Sequence, residues 1–473
     1  MKIFMSMVAV VSLVGGCGPT SSQADYEQRI ERIATIASEY AGFNGTILVA
    51  DSDGVFYHNS FGFADEDGTI ALTPEHRFSP GSIDKEFTTV ALMLLEQQGR
   101  LNYHDKLSGY LPELPHWANI VTIEQILTHT SGIPDINYGR NLTTADAIEQ
   151  IMAVDELVFE PGQGFLYGNL NSVLRAMIIE QITGEPQDVF IQENIFDAAG
   201  MDSAYSRTDL AIEQPMTAFG DLPMAVAGID MYVTALDLYR WETALWNGDI
   251  VARESLENVI VPHELRGSSS SAYFDFGSFQ GNEDGALVGV MHDGTHPSHY
   301  ALQSINFDTG LIIILLSSDG AKSTLGPLRQ SIASLADNQT VALPASWWLA
   351  NEVKQQGIAS ALENYRAAVE EGNGTTADGS EIDSNEQTLN GYGYSLSGSG
   401  QTDDAIAVLG LNVELFPNSA NAHDSFADIL IQAEDYAQAK TITEQGLRLA
   451  RQDRNSFLIQ SMEDYLSTIQ ANE

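Results

Sequence analysis

The sequence predicts an α+β fold, in which one antiparallel sheet is flanked by helices and carries a helical lobe, followed by an all-α C-terminal domain. Two observations predict this class. Strand-like segments lie near both ends of the first 340 residues, whereas helical spacing fills the stretch between them. Beyond that point the pattern is helical. With 473 residues, 44% of them hydrophobic, the chain can build more than one core.

The chain begins with an apolar segment that ends at its only cysteine, Cys17, so no intramolecular disulfide can form. Lys2 precedes the apolar run and small residues precede the cysteine, which is typical of a secretory signal. The segment LVGGC also resembles a bacterial lipobox, whose cysteine is lipidated. We therefore expect a signal peptide over residues 1–16 and a lipidated terminus with a tether over residues 17–24. The resemblance implies a periplasmic, outer-membrane-anchored lipoprotein; an ordinary cleaved signal or a buried apolar N-terminus is the alternative.

The first folded domain is expected over residues 25–340. Its N-terminal helix places Ile30, Ile33 and Ile36 on one face. Two strands should follow, joined by the turn DSDG at residues 51–54. The last strands are expected in the segments ALVGVMHDG, YALQSINFDTG and LIIILLSSDG, because each apolar run is bounded by Gly or Asp.

The C-terminal segment, residues 345–473, is expected to be a helical tail. After a polar linker its pattern repeats with a period of 34, in which Gly393 corresponds to Ala427 and Ala405 to Ala439. Small residues at these positions let paired helices pack closely, as in a tetratricopeptide repeat. We predict two weak repeats of this kind, which pack on the main domain or cap themselves and can offer a surface to a protein partner.

The charge of the chain is strongly negative, with 65 acidic against 21 basic residues and a net charge of −44. Such a polyanion is repelled by phosphate backbones and by anionic lipid. This argues against a nucleic acid partner and against membrane binding through a basic patch. The charge keeps the surface soluble, and a sharper hypothesis is adaptation to salty surroundings, where counterions screen the self-repulsion.

The segment FSPGSIDKEFT contains the first candidate site. Ser82 follows a Pro-Gly turn and Lys85 stands three residues later, so both side chains share one face if a helix begins here. A neighbouring amine can take the proton of a serine hydroxyl when its surroundings favour the neutral amine. The helix N-terminus would add positive partial charge near a developing oxyanion. Alternatively, both are ordinary residues of a helix start with the lysine on the surface.

Two further candidates lie downstream. Tyr167 and Asn169 stand between a Pro-Gly turn and a helical segment, where a phenol can relay protons and an amide can orient a neighbour. His292 and Gly294 end the strand ALVGVM, and the glycine lets a substrate approach, so that Thr295 could lend an oxyanion N–H. Taken alone, each has a plain structural explanation: a core tyrosine with a helix-capping asparagine, and a strand-ending turn.

In the order Ser-x-x-Lys, Tyr-x-Asn, His-x-Gly, the three motifs resemble those of the serine β-lactamase and penicillin-binding superfamily. The closer resemblance is to its class C-like branch, which includes esterases and D-amino-acid peptidases. It runs from roughly residue 40 to 320 and includes the segments LNYHDKLSGYLPELP, VTIEQILTHTSGIPD, NIFDAAGMDSA and VTALDLYRW in the expected order. The helical tail is similar to one that follows this catalytic domain in some relatives. A small ester, amide or peptide is the implied substrate.

The resemblance also implies a role for each residue. Ser82 would attack a carbonyl carbon and form an acyl-enzyme, with Lys85 as proton acceptor and Tyr167 as relay to the leaving group. Asn169 would hold the lysine and the substrate amide. The backbone N–H groups of Ser82 and Thr295 would form the oxyanion hole, and water would release the product with Tyr167 as base. Neither a metal nor another cofactor is implied.

The third motif departs from the Lys-Thr-Gly that is common in true β-lactamases. A histidine is largely neutral at pH 7, and Asp293 adds a negative charge, so attraction for the carboxylate of penicillins and cephalosporins is weakened. The bulkier THPSH also follows Gly294, where the family often has further glycines. We therefore expect an esterase or a D-amino-acid peptidase rather than an efficient β-lactamase.

Two alternatives stay open. One is a penicillin-binding protein or weak β-lactamase with slow deacylation, and the other is a catalytically inactive lipid-anchored binding or scaffold protein. The presence of Ser82, Lys85 and Tyr167 together argues against the second, because a binding module has no need of all three. His129, in the segment LTHTSG, invites a Ser-His triad interpretation. We expect a structural role for it, because lysine and tyrosine are the bases in this chemistry.

Overall fold

The structure is a computed structural model that describes residues 23–137, 142–206, 226–229, 231–266, 268–282, 286–296, 298–318, 322–336, 342–370, 374, 381–383, 385–453 and 455–472. Its α-helices are α1 (Gln23–Tyr40), α2 (Asp84–Gln97), α3 (Ile123–Leu127), α4 (Thr144–Met152), α5 (Asn169–Thr183), α6 (Gln187–Ile191), α7 (Asp197–Ala199), α8 (Ala235–Asn247), α9 (Arg253–Val259), α10 (Lys322–Ala336), α11 (Ala345–Gln356), α12 (Ile358–Glu370), α13 (Glu386–Gly398), α14 (Thr402–Leu415), α15 (Ala420–Gln432), α16 (Tyr436–Gln452) and α17 (Ser456–Asn472). Its strands are β1 (Gly45–Asp51), β2 (Gly54–Phe61), β3 (Tyr205–Ser206), β4 (Met231–Tyr232), β5 (Pro262–His263), β6 (Ser268–Ala272), β7 (Ser278–Gly281), β8 (Leu287–His296), β9 (His299–Asn306), β10 (Ile312–Ser318), β11 (Ala342–Pro344) and β12 (Glu381–Asp383). Short 3-10 or π turns cover Gly81–Ile83, Leu107–Gly109, His116–Asn119, Gln192–Phe196 and Glu264–Arg266.

Within the described residues, eight strands form one antiparallel sheet in the order β2-β1-β10-β9-β8-β7-β6-β5. The early hairpin β1–β2 turns at Ser52 and Asp53, as the sequence predicts. The late strand β10 lies beside β1, with Gly45 opposite Ser317, so the two ends of the domain meet in the sheet. The helices of the middle region cover one face, which confirms the predicted α+β class.

The central strands are buried on both faces because their side chains alternate between two cores. Ile47 and Val49 of β1 pack with residues of α1 and α10, including Ile30. Leu48 and Ala50 point to the opposite face, toward α2, α8 and the helical lobe. Each fully buried aliphatic side chain stabilises the fold by roughly 1.5–3 kcal/mol. The candidate site lies where α2 meets this second face.

Helix α11 connects the main domain to the helical tail. Trp347 packs in the core with α1 and α10, whereas the adjacent Trp348 packs in the core of the tail. Lys354 Nζ also lies 2.8 Å from Glu39 Oε2 on α1, but both side chains are largely exposed. Because exposed ion pairs contribute little to stability, the packing of the two tryptophans is what stabilises this connection.

The described tail is all helical apart from the short β12, which confirms that part of the prediction. Helices α13 and α15 begin one predicted period apart, at Glu386 and Ala420, as do α14 and α16 at Thr402 and Tyr436. A Cβ at Gly393 would lie 2.6 Å from Leu409 Cγ, so a small residue is needed where these paired helices cross.

The predicted signal peptide and Cys17 lie outside the described residues. Among the helices that the structure describes, none has the length and apolar character needed to cross a membrane.

Candidate active site

Ser82 lies in a 3-10 turn immediately before α2, and this turn is pressed against β8. Gly81 has a φ of +57°, and a Cβ on it would come within 2.5 Å of the Thr295 backbone nitrogen. A Cβ on Gly294 would lie 1.8 Å from the Pro80 carbonyl oxygen and 2.9 Å from the Ser82 nitrogen. The two glycines therefore let the backbones of turn and strand touch, which brings the N–H groups of Ser82 and Thr295 into one small region.

Lys85 and Tyr167 converge on the Ser82 hydroxyl. Lys85 lies in the first turn of α2, is almost fully buried, and places Nζ 3.4 Å from Ser82 Oγ. The Tyr167 hydroxyl lies 2.9 Å from the same oxygen. Lys85 Nζ is also 5.0 Å from the centre of the Tyr167 ring, whose face attracts a cation. The structure thus brings together the three side chains that the sequence predicts to be catalytic.

Asn169 is the first residue of α5, directly after Tyr167 and Gly168. Its backbone N–H donates to Asp135 Oδ1 at 2.7 Å, and the N–H of Ile136 donates to the same oxygen at 2.7 Å. A carboxylate at a helix N-terminus satisfies an otherwise unpaired donor and suits the helix dipole. Asp135 therefore fixes the start of α5 and with it the position of Tyr167. Asp135 was not predicted from the sequence, although it closes the segment HTSGIPD.

His292 has a different neighbour from the one expected for a substrate-orienting side chain. Its Nδ1 lies 2.6 Å from Glu86 Oε1, inside the protein. Glu86 also accepts hydrogen bonds from Gln303 Nε2 and from Trp241 Nε1, at 3.0 and 2.8 Å. Burial, and then the nearby charge of Glu86, raise the pKa of Glu242 well above its usual range. His292 Nδ1 thus anchors α2 to β8 through Glu86.

His129 lies against Tyr167 and contacts a buried ion pair. The two rings have centroids 4.4 Å apart. His129 Nε2 is 2.8 Å from Asp275 Oδ2, which Arg175 also contacts at 2.6 Å. Burial alone would raise the pKa of Asp275, but His129 and the guanidinium of Arg175 outweigh it and hold that pKa well below its usual range. These contacts agree with a structural rather than a triad role for His129.

Asp275 and Arg175 were not predicted from the sequence. Arg175 is the only cation in the apolar stretch of α5, NSVLRAMIIE, and it is fully buried. A buried arginine needs a carboxylate partner, so this residue could have signalled the pair, although not which carboxylate it would find.

His299 supports the turn that carries Ser82. The backbone N–H of Ser79 donates to His299 Nδ1 at 2.7 Å, and the ring is completely buried. Burial, with a smaller contribution from His296, lowers the pKa of His299 to about 3, so the ring stays neutral at ordinary pH. This role of His299 was not predicted, because from the sequence the segment THPSH is expected only to add bulk beside the site.

Across the part of the chain that the structure describes, no group of three or more histidine, cysteine or carboxylate side chains is arranged to hold a metal ion.

The Ser82 hydroxyl, the Lys85 amine and the Tyr167 phenol converge, and such an arrangement can support nucleophilic attack and proton relay.

Comparison with known proteins gives a consistent result. Residues 31–336, more than half of the chain, match the model of the family described as Beta-lactamase. The chain is similar to the putative penicillin-binding protein PbpX of Bacillus subtilis (strain 168), with 28% identity over 66% of this chain and 79% of the relative. A penicillin binding protein from Bacillus halodurans aligns over 64% of this chain and 99% of its own, at 23% identity and a TM-score of 0.56. The D-amino acid amidase of Ochrobactrum anthropi SV3 aligns over 66% and 99%, at 21% identity and a TM-score of 0.54. The two solved structures support the fold.

Proposed function

Because this chain belongs to the beta-lactamase family and is a serine hydrolase, we propose that it cleaves small esters or amides through an acyl-enzyme on Ser82. The observation that carries the proposal is the convergence on Ser82 Oγ, with the Tyr167 hydroxyl at 2.9 Å and Lys85 Nζ at 3.4 Å. Either group is within reach of the proton that must leave Oγ during attack.

In the proposed acylation, Ser82 Oγ bonds to the substrate carbonyl carbon while its proton passes to Lys85. The negative charge that develops on the carbonyl oxygen would be stabilised by the N–H groups of Ser82 and Thr295. Tyr167 then protonates the leaving alcohol or amine as its bond to the carbonyl carbon breaks. In deacylation, water attacks the ester and gives a proton to the Tyr167 phenolate. The acid is released as Lys85 returns its proton to Ser82 Oγ, which restores the hydroxyl and the neutral amine. Asn169 would orient Lys85 and the substrate amide.

The preferred substrate in this proposal lacks a carboxylate at the position that penicillins and cephalosporins use. His292 Nδ1 is occupied by Glu86, and the adjacent Asp293 is exposed on β8. Neither supplies the fixed positive charge of a lysine. The fold is shared with an amidase named for D-amino acids, so esters and D-amino-acid amides or short peptides are the proposed classes. We place the chain in the class C-like branch on its Tyr-x-Asn motif.

A second candidate function is a penicillin-binding protein or weak β-lactamase with slow deacylation. It is favoured by the similarity to relatives named as penicillin-binding proteins. It would show one acyl group bound per chain without turnover.

The remaining proposals rest on the sequence. The N-terminal segment supports export to the bacterial periplasm with a lipid on Cys17 as the membrane anchor. The spacing of the paired tail helices supports two tetratricopeptide-like repeats, and their surface is proposed to bind a protein partner. The hydrolase domain is proposed to span residues 25–340 and the tail residues 345–473.

The experiment compares the full chain with Ser82→Ala and, as a matched control, Ser108→Ala, which lies in another 3-10 turn. Each is tested against short-chain nitrophenyl esters and D-amino-acid amides, which lack such a carboxylate, and against D-alanyl-D-alanine peptides and a chromogenic cephalosporin, which carry one, and the intact mass is recorded. We expect turnover of an ester or D-amino-acid substrate that is lost only in Ser82→Ala. Absence of both turnover and adduct in the wild type would overturn the proposal in favour of a binding protein.

A further inference from the structure

His129 holds the chain on both sides of Tyr167. Its carbonyl oxygen accepts a hydrogen bond from the backbone N–H of Leu166 at 2.9 Å. Its ring Nδ1 accepts one from the backbone N–H of Gly168 at 3.2 Å. The imidazole itself lies against the phenol ring, with an angle of 34° between the planes. One residue therefore contacts the residue before Tyr167, the residue after it, and the ring between them.

The hydrogen bonds allow only one form of this imidazole. A backbone N–H can only donate, so the bond from Gly168 requires Nδ1 to be without a proton. Asn171 Nδ2 also lies 3.1 Å from Nδ1, and its amide is oriented by the Ser131 hydroxyl, which donates to Asn171 Oδ1 at 2.8 Å. The proton must then be on Nε2, which faces Asp275 Oδ2. His129 is therefore a neutral Nε2–H tautomer.

The charges around the ring support that form. Burial is the largest influence and lowers the pKa of His129; Asp275 acts to raise it, and the positive charge of Arg175 acts to lower it further, with a net lowering. Arg175 also donates to Thr89 Oγ1 on α2 at 3.2 Å, and Thr89 lies one turn beyond Lys85. The same buried network thus joins α2, the helix that carries Lys85, to the segment that carries Tyr167.

The backbone of His129 adds an independent observation. Its φ is +54°, a left-handed conformation that is uncommon outside glycine and in which Asn, Asp and His are the side-chain-bearing residues most often found. The surrounding structure fixes this conformation, which places the ring against Tyr167.

We infer that His129 is a positioning residue, whose neutral imidazole holds Tyr167 at hydrogen-bond distance from Ser82. It does not exchange a proton with the substrate. This inference deepens the proposed function and rests on it, because it assumes that Tyr167 relays protons at Ser82.

Two substitutions test separately the hydrogen-bond acceptor of His129, which is Nδ1, and its aromatic ring. In His129→Asn the side-chain oxygen takes the place of Nδ1, and asparagine tolerates the positive φ. In His129→Phe the ring remains, but both nitrogens are lost. His263→Phe is the matched control, because His263 is a buried histidine that contacts the same loop at the Thr128 carbonyl and lies against Phe165.

The full chain and these three variants are assayed with p-nitrophenyl acetate for kcat and KM. In parallel, intact mass follows the labelling of Ser82 by an aryl alkylphosphonate, in which an Oγ–P bond forms, aryloxide leaves and the serine proton passes to the base. The final extent of labelling counts the folded sites, so kcat can be expressed per active site.

We expect His129→Phe to lower kcat per site and the labelling rate by about 100-fold, with KM within about 3-fold of wild type, because small displacements of a catalytic group are costly. We expect kcat per site and the labelling rate of His129→Asn to stay within about 10-fold of the wild-type values. The control, His263→Phe, should match wild type in both. A His129→Phe variant with unchanged kcat per site would overturn the inference alone, as would equal losses in the Asn and Phe variants. A wild-type chain that neither turns over nor is labelled would overturn the proposed function, and this inference with it.

Discussion

Gly294 and Pro80 are in direct backbone contact: a Cβ at residue 294 would lie 1.8 Å from the Pro80 carbonyl oxygen. Because the obstacle is backbone rather than a flexible side chain, Gly294→Ala must push β8 away from the turn that carries Ser82. We expect esterase activity to fall by at least about 100-fold and the free energy of unfolding to fall by about 1–3 kcal/mol. Gly109→Ala is the control, since a Cβ there meets no atom within 4 Å. Equal esterase activity of Gly294→Ala and Gly109→Ala would show that the backbone contact between Gly294 and Pro80 is not needed for activity.

The hydroxyl of Tyr167 can be removed without disturbing its ring. Tyr167→Phe retains the packing against His129 and the ring face near Lys85, so we expect the melting temperature to stay close to that of wild type. The proton relay is lost, and kcat for ester hydrolysis should fall by roughly 10²–10⁴-fold. Tyr57→Phe, which removes a phenol bonded to Glu31 far from the site, should leave kcat unchanged. A Tyr167→Phe chain with wild-type kcat would show that the phenol takes no part.

Asp275 and Arg175 should behave as a buried pair. Arg175 is fully buried, so Asp275→Ala leaves its charge without a carboxylate, and we expect a loss of about 3–5 kcal/mol in the free energy of unfolding, measured by urea titration. Replacing both residues by leucine should cost less than the sum of the single changes. The exposed pair of Arg253 and Glu257 supplies the control, in which Glu257→Ala should change stability by less than about 1 kcal/mol. A similarly small effect at Asp275 would contradict the pairing.

His299 should make the fold sensitive to acid. Its pKa is about 3 in the folded chain against an ordinary value of 6.5, so only the unfolded state takes up the proton between these values. Stability contributed by the neutral ring is therefore present above pH 6.5 and is lost as the pH falls toward 3. His299→Asn keeps an acceptor for the Ser79 N–H but does not titrate. We expect the stability advantage of wild type over His299→Asn to shrink by about 2 kcal/mol between pH 6.5 and pH 5. Parallel curves of unfolding free energy against pH for wild type and His299→Asn would show that His299 does not cause the acid sensitivity.

The parts of the fold that depend on local pattern could be predicted from the sequence. Apolar runs bounded by Gly and Asp identify the β1–β2 hairpin and the three late strands. The three-residue spacing of Ser82 and Lys85 suffices to place both on one helical face, because helix geometry is fixed. The predicted period of 34 residues agrees with the starts of α13 and α15 and with those of α14 and α16.

The contacts that complete the site could not be predicted in the same way. Alternation along β8 puts His292 and Gly294 on one face, but it does not reveal that Glu86 and the backbone of Pro80 lie opposite them. His129 and Asp275 are 146 residues apart in the chain. Such pairings depend on how distant segments pack. In the sequence, a single arginine within an apolar helix indicates that a buried ion pair exists, but it does not identify the partner.

The most direct test of the account locates the nucleophile. The full chain is labelled with an aryl alkylphosphonate, digested, and mapped by mass spectrometry, with Ser82→Ala treated in parallel. The account predicts one phosphonyl group per chain, on the peptide that contains Ser82, and no label in the variant. A label on another residue, or equal labelling of Ser82→Ala, would contradict the claim that Ser82 forms the acyl-enzyme.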